Sequence, residues 1–157
     1  MRRSLQTPQP KGIKAKIGAI AVGRFSVPFT VANYVDEVMA EQGTLAPERV
    51  RRLNLSGVVD SGAARLVLPR AVVLKLGLTI SGTLPVKHAN GLVAERETVH
   101  GVAVELLGRS GVYSAIVEPR RRDALIGALV LEDLDFLIDP KNEQIVPRDP
   151  RGPIYEI

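Results

Sequence analysis

An apolar run that ends in a carboxylate constrains this chain more than any other feature. From Leu55 to Gly77 the sequence reads LSGVVDSGAARLVLPRAVVLKLG. Leu55, Val58 and Val59 suit a buried strand, and Asp60-Ser61-Gly62-Ala63 follows at once. Gly62 lets the backbone turn without a Cβ, and the Ser61 hydroxyl can tie the bend, so the strand delivers a carboxylate to a tight turn. Leu66-Val67-Leu68 comes next, then Pro69 and a run from Arg70 to Leu76 stopped by Gly77. Proline at the first helical position and glycine just past the end predict a short helix.

A second element has related chemistry. Leu125-Ile126-Gly127, two apolar residues and a glycine, leads into a helical run from Ala128 to Leu134, with Gly127 lying 67 residues beyond Asp60. Val58-Val59-Asp60-Ser61-Gly62-Ala63 and this downstream element, in this order, resemble the retropepsin-like aspartic proteases, the single-domain relatives of pepsin found in retroviruses and bacteria. The resemblance covers roughly residues 23–147. It implies an all-β fold, a closed retropepsin-like barrel with one or two short helices, active as a symmetric homodimer. It also implies an aspartic endopeptidase with Asp60, Ser61 and Gly62 as catalytic residues and a peptide or protein as substrate. Ala63, Ala64 and Ile126 would line the substrate, and the hairpin carrying Ala89, Asn90 and Gly91 would be the flap that closes over it. Two positions held by Asp and Arg in retroviral members are here Ala64 and Ala128, both partners of that ion pair being absent together.

The chain has one Asp-Ser-Gly and no second Asp-Thr-Gly or Asp-Ser-Gly. Hydrolysis of a peptide without a metal or a protein nucleophile needs one group to activate water and another to protonate the leaving amine. Two carboxylates sharing a proton do both, since like charges that close cannot both ionise. One chain therefore holds half a site, and closed two-fold dimers are the commonest assembly that would complete it. Asp-Ser-Gly is also ordinary turn chemistry, so the competing readings are a structural turn aspartate and a noncatalytic peptide-binding or dimerising module of the same fold.

Composition narrows the remaining classes. At 157 residues the chain fits one domain with a real core, and with aromatics at only 4% that core must be built from Val, Leu, Ile and Ala. No cysteine is present, which excludes disulfides, thiolate catalysis and thiolate zinc sites. His88 and His100 have no partner at metal-ligand spacing, so no metal and no cofactor is expected. Of the 21 Lys and Arg, five fall in residues 1–16 with no acid beside them, which leaves 16 bases against 17 acids in the body. The basicity belongs to a Pro- and Gly-containing tail, residues 1–22, read as a solvated end rather than a nucleic-acid arm. Ile17 to Val22 is too short for a signal-peptide core, and no run approaches the ~20 apolar residues of a membrane span. The expectation is a soluble cytoplasmic protein with neither nucleic acid nor membrane as partner.

Along the chain, Phe25, Val27, Phe29 and Val31 alternate with polar residues and Pro28, predicting a half-buried strand at an edge or bulged at the proline. Asn33 or Asp36 caps a predicted helix through Gln42, with Val35, Val38 and Met39 on one face and Gly43 as its stop. Leu84–His88 and Leu92–Thr98 flank Asn90-Gly91, read as a tight turn with positive φ at both central residues. Strands Val99–Leu107 and Val112–Glu118 are expected around a Gly108–Gly111 turn, and Phe136–Ile138 and Gln144–Val146 around Asp139–Asn142. The end, residues 148–157, is read as an extended tail. Val86 joins Ile126 as a candidate subsite residue.

Overall fold

The computed structural model describes residues 24–157, so the basic tail of residues 1–16 and the apolar stretch Ile17–Val22 lie outside the described residues. The described residues form nine strands: β1 (Phe25–Asn33), β2 (Arg52–Val59), β3 (Leu66–Pro69), β4 (Ile80–Lys87), β5 (Val93–Leu106), β6 (Arg109–Glu118), β7 (Ala124–Ile126), β8 (Phe136–Asp139) and β9 (Gln144–Pro147). Three short helices accompany them, α1 (Tyr34–Glu41), α2 (Arg70–Lys75) and α3 (Ala128–Asp133), with a 3-10 turn at Pro47–Arg49. The fold is all-β as expected, and its three helices fall where the sequence predicts them, one more than the one or two that the resemblance implies.

Seven strands run in the order β1-β2-β7-β3-β6-β5-β4, and β1 also pairs with β5, which closes six of them into a barrel and leaves β4 outside on β5. β8 and β9 make a separate hairpin. Alternation along β1 explains the closure: Val27, Phe29 and Val31 point inward and are buried, meeting Val59, Val104 and Ile126 in a core without tryptophan. Pro28 sits opposite Ser56 of β2, whereas pairing with β5 starts only at Thr30. The proline thus lies on the stretch of β1 with one neighbour, where a missing N–H disrupts no second ladder.

Helix α1 differs from its expectation in an instructive way. Asn33 is the cap, its Oδ1 accepting from the Asp36 N–H at 3.1 Å while its Nδ2 donates to the Leu76 carbonyl at 2.9 Å. Gly43 has φ of +78° just beyond the helix end, as a stop should. Yet Val35 and Met39, predicted to face the body, are exposed, and the buried residue of the helix is Asp36. Its carboxylate accepts from the Arg51 backbone N–H at 3.0 Å and from the Arg51 guanidinium at 2.7 and 2.9 Å, a bidentate clamp holding the insertion against the barrel.

One strand boundary and one turn also differ from their expectations. The predicted strands Leu92–Thr98 and Val99–Leu107 are one strand, β5, with a bulge between Val99 and Val102 where Gly101 takes φ of +69°. The next turn is Leu107-Gly108, with φ of 48° and 78°, the two-residue type in which both central residues are left-handed. Gly111 is inside β6, where a Cβ would fall on the Tyr113 ring.

The Arg51 clamp carries a pH signature. Hydrogen bonds from the Arg51 side chain, against the opposing effect of burial, hold the Asp36 carboxyl below its ordinary value of 3.8. A carboxyl depressed in the folded state stabilises at pH values above the unfolded value and loses that contribution as the pH falls through the folded one. Asp36→Asn should therefore lower the urea midpoint at neutral pH, and its deficit against wild type should shrink as titration proceeds below 3.8. Equal deficits at neutral and acid pH would contradict the clamp.

Candidate active site

Strand β7 is the keystone of the site. It lies parallel to β2, with Val58 opposite Leu125 and Val59 opposite Ile126, and meets β3 antiparallel at Val67 opposite Leu125. The two motifs of the sequence are thereby neighbours in space. The ladder continues into the turn, where the Asp60 N–H donates to the Ile126 carbonyl at 3.1 Å. Beyond it the Ala128 and Leu129 N–H groups donate to the carbonyls of Ala63 and Ala64 at 2.8 and 2.9 Å. Main-chain bonds thus join the two segments at Ala64 and Ala128, where no side-chain ion pair is available. Gly127 makes this possible: a Cβ there would lie 2.4 Å from the Arg65 carbonyl oxygen and 2.8 Å from that of Ala63.

The turn after β2 holds the carboxylate in place. Asp60 is only 8% exposed, its carbonyl accepts from the Ala63 N–H at 3.2 Å, and its Oδ1 accepts from the Gly62 N–H at 2.9 Å. The other oxygen, Oδ2, is 2.6 Å from the Arg24 guanidinium. Nothing in the sequence around Arg24 distinguishes it from a strand-flanking residue, and the pairing with Asp60 comes only from β1 and β2 running antiparallel with Phe25 opposite Val59.

A cleft of about 480 Å³ opens over this carboxylate. Asp60, Gly62 and Ala63 form one side, Val67 and Leu125 an apolar floor, and Val86 to Ala89 of the β4–β5 hairpin the opposite side. Of the residues singled out from the sequence, Asp60, Gly62, Ala63, Val86 and Ala89 come together here. Ser61 and Ala64 are exposed and do not line the cleft, and Asn90 and Gly91 are exposed at the hairpin tip. Ile126 is fully buried in the barrel core, and its neighbour Leu125 lines the cleft instead. Successive strand residues face opposite sides, so one step along β7 exchanges core for cleft.

The hairpin itself is a three-residue loop. The His88 N–H donates to the Leu92 carbonyl and the Gly91 N–H to the His88 carbonyl, each at 2.9 Å, while Asn90 Oδ1 accepts from Leu92 N–H at 3.0 Å. Gly91 alone has positive φ, +84°, and Asn90 does not, so the turn is the type I form followed by a left-handed glycine rather than the two-residue form. Glu118 at the end of β6 fastens the hairpin, accepting from Arg96 Nε at 2.8 Å and facing His88 Nε2 at 3.3 Å. His100 is remote from this, its Nδ1 2.8 Å from Ser114 Oγ.

No protein-family model matches the chain, and no curated protein does. Among solved structures the chain is similar to EIAV protease complexed with the inhibitor HBY-793, with 17% identity and a TM-score of 0.49, the alignment covering 70% of this chain and 86% of that one.

The close approach at Gly127 has a measurable consequence. Gly127→Ala forces a methyl into backbone that has no rotamer to yield, so the variant should lose about 1–3 kcal/mol or more of stability in urea titration. A wild-type midpoint would show that the two motif segments are not locked together there.

Proposed function

We propose that the chain is a homodimeric, retropepsin-like aspartic endopeptidase in which Asp60 of each subunit supplies one carboxyl of the catalytic pair. The observation that carries the reading is the Asp60 carboxylate itself: almost buried, fixed by the Gly62 N–H, and facing a cleft floored by apolar residues under a hairpin. In the dimer the ionised carboxylate takes a proton from water as its oxygen attacks the peptide carbonyl. The protonated partner hydrogen-bonds the developing oxyanion, and the amine leaves with a proton from the pair. Ser61, an exposed residue of the turn, would bond across the two-fold axis, and the hairpin of Ala89, Asn90 and Gly91 would close over an extended peptide. No helix among the described residues is long and apolar enough to cross a membrane.

Arg24 favours a second reading. A buried carboxylate already paired with a guanidinium at 2.6 Å is a complete structural ion pair, as a noncatalytic peptide-binding module of the same barrel would need. In the enzymatic reading, Arg24 must leave Asp60 for the second carboxyl to approach.

Two experiments separate these readings. Asp60→Asn should abolish cleavage of a peptide library while the protein stays folded by circular dichroism, and wild-type activity per chain should fall on dilution as half-sites part. Cleavage by a pure preparation of the variant would end the proposal. Arg24→Ala should keep or raise kcat/KM if Asp60 is catalytic, since the guanidinium competes with the carboxyl pair. A variant that loses stability, from a wild type without peptidase activity, would favour the structural ion pair.

A further inference from the structure

The cleft lining is not charge-neutral in what it offers an incoming chain. Both of its carboxylates are already engaged: Asp60 by Arg24, and Glu118 by Arg96 and His88. Two of its cations are not. Lys87, exposed at the end of β4, and Arg121, half-buried in the loop between β6 and β7, line the same cleft from different sides and have no carboxylate within salt-bridge distance among the described residues. The Arg121 Nε donates to the Asp123 carbonyl at 2.7 Å, which fixes its planar head. Arg120 and Arg122 flank it on the exposed loop, with Asp123 as the adjacent acid.

Resting on the reading of this cleft as a peptide site, we infer that its occupants are acidic peptides, an apolar segment seated on Val67, Val86 and Leu125 and flanked by Asp or Glu side chains held by Lys87 and Arg121. The floor takes apolar side chains without polar partners of its own. Beyond it, an approaching carboxylate meets uncompensated positive charge, and an approaching ammonium meets carboxylates that already have partners. Guanidinium fixed in orientation suits bidentate carboxylate capture, whereas the Lys87 ammonium acts as a mobile point charge. Nucleic acid shares the negative charge but fits the floor poorly: none of the residues lining the cleft is Phe, Tyr or Trp on which a base would stack.

The test uses the full-length chain and two pools of fluorescein-labelled peptides with a randomised apolar centre, one pool flanked by Glu and the other by Lys. Binding is read by fluorescence polarisation with the Arg24→Gln, Asp60→Asn double variant, which removes the Arg24–Asp60 ion pair as a unit, and cleavage with wild type in parallel. The Glu pool should bind roughly tenfold more tightly, and the gap should narrow as salt rises from about 50 to about 500 mM. Lys87→Glu and Arg121→Glu should each erase or invert the preference, while Lys141→Glu, in the β8–β9 turn, should leave it intact. Equal binding of the two pools, or a preference untouched by both cleft reversals, overturns the inference whether or not peptides are cleaved. So does single-stranded DNA that competes as well as the Glu pool. A Glu preference lost in the cleft variants upholds it, and if wild type then cuts neither pool, only the protease reading falls.

Discussion

The site depends on one close approach, that of Gly127 to the backbone of Ala63 and Arg65. A side chain at residue 127 would stand where those carbonyls are. Because none does, β7 slides between β2 and β3, and three main-chain hydrogen bonds, to Ile126, Ala63 and Ala64, run through one patch of backbone. Hydrogen bonds between main-chain groups are indifferent to side-chain identity, so this junction stands with alanine at both Ala64 and Ala128. The carboxylate of Asp60 then takes its position from this backbone, through the Gly62 N–H on one oxygen, and from the Arg24 guanidinium on the other.

Charge in the described part of the molecule is handled by local pairing. Asp36 with Arg51, Asp60 with Arg24, and Glu118 with Arg96 and His88 each compensate a carboxylate that is buried or nearly so. No buried side-chain nitrogen or oxygen among the described residues lacks a hydrogen-bond partner. The pairs differ in what they hold. The first pins an inserted helix, the second touches the candidate catalytic group, and the third ties the overhanging hairpin to β6.

Much of this was legible in the sequence because strand and helix punctuation is local. The alternation of Phe25 to Val31, the strand ending at Asp60, the stop at Gly77 and the helix after Gly127 all rest on neighbouring residues, and all appear. What was not legible depends on partners distant in sequence. Val35 and Met39 promised a buried face for α1, but a bidentate arginine 15 residues away turned Asp36 inward instead. Asn90-Gly91 has the composition of a two-residue turn, yet the register of β4 on β5, with Lys87 opposite Val93, leaves one residue more than such a turn holds. The two-residue turn went to Leu107-Gly108, where the register of β5 on β6 demands positive φ of a leucine against its preference. Leu125 and Ile126 are equally apolar, and only strand parity decides which of them faces the cleft. Arg24 was invisible for the same reason: its proximity to Asp60 is a property of the β1–β2 register alone.

Strand β5 is a single ribbon with two duties. From Thr98 onward it is a stave of the barrel, bonded to β6 and, from Val102, to β1, whereas Val93 to Glu97 pair with β4 alone and project past the closed wall. At roughly 3.3 Å per residue its 14 residues span about 46 Å. The anchored portion reaches across the bulge around His100 and Gly101 to Thr98 and Val99, which pair with Ile116 and Ala115 of β6, and the overhang begins at Glu97. Such an arrangement is a cantilever, clamped at one end and loaded at the other. Its reach is set by the number of residues beyond the clamp, so pairs of residues added to or removed from β4 and β5 together would lengthen or shorten the overhang without touching the barrel's closure. The depth of the cleft and the integrity of the barrel are in this sense separate variables, open to independent change over evolutionary time.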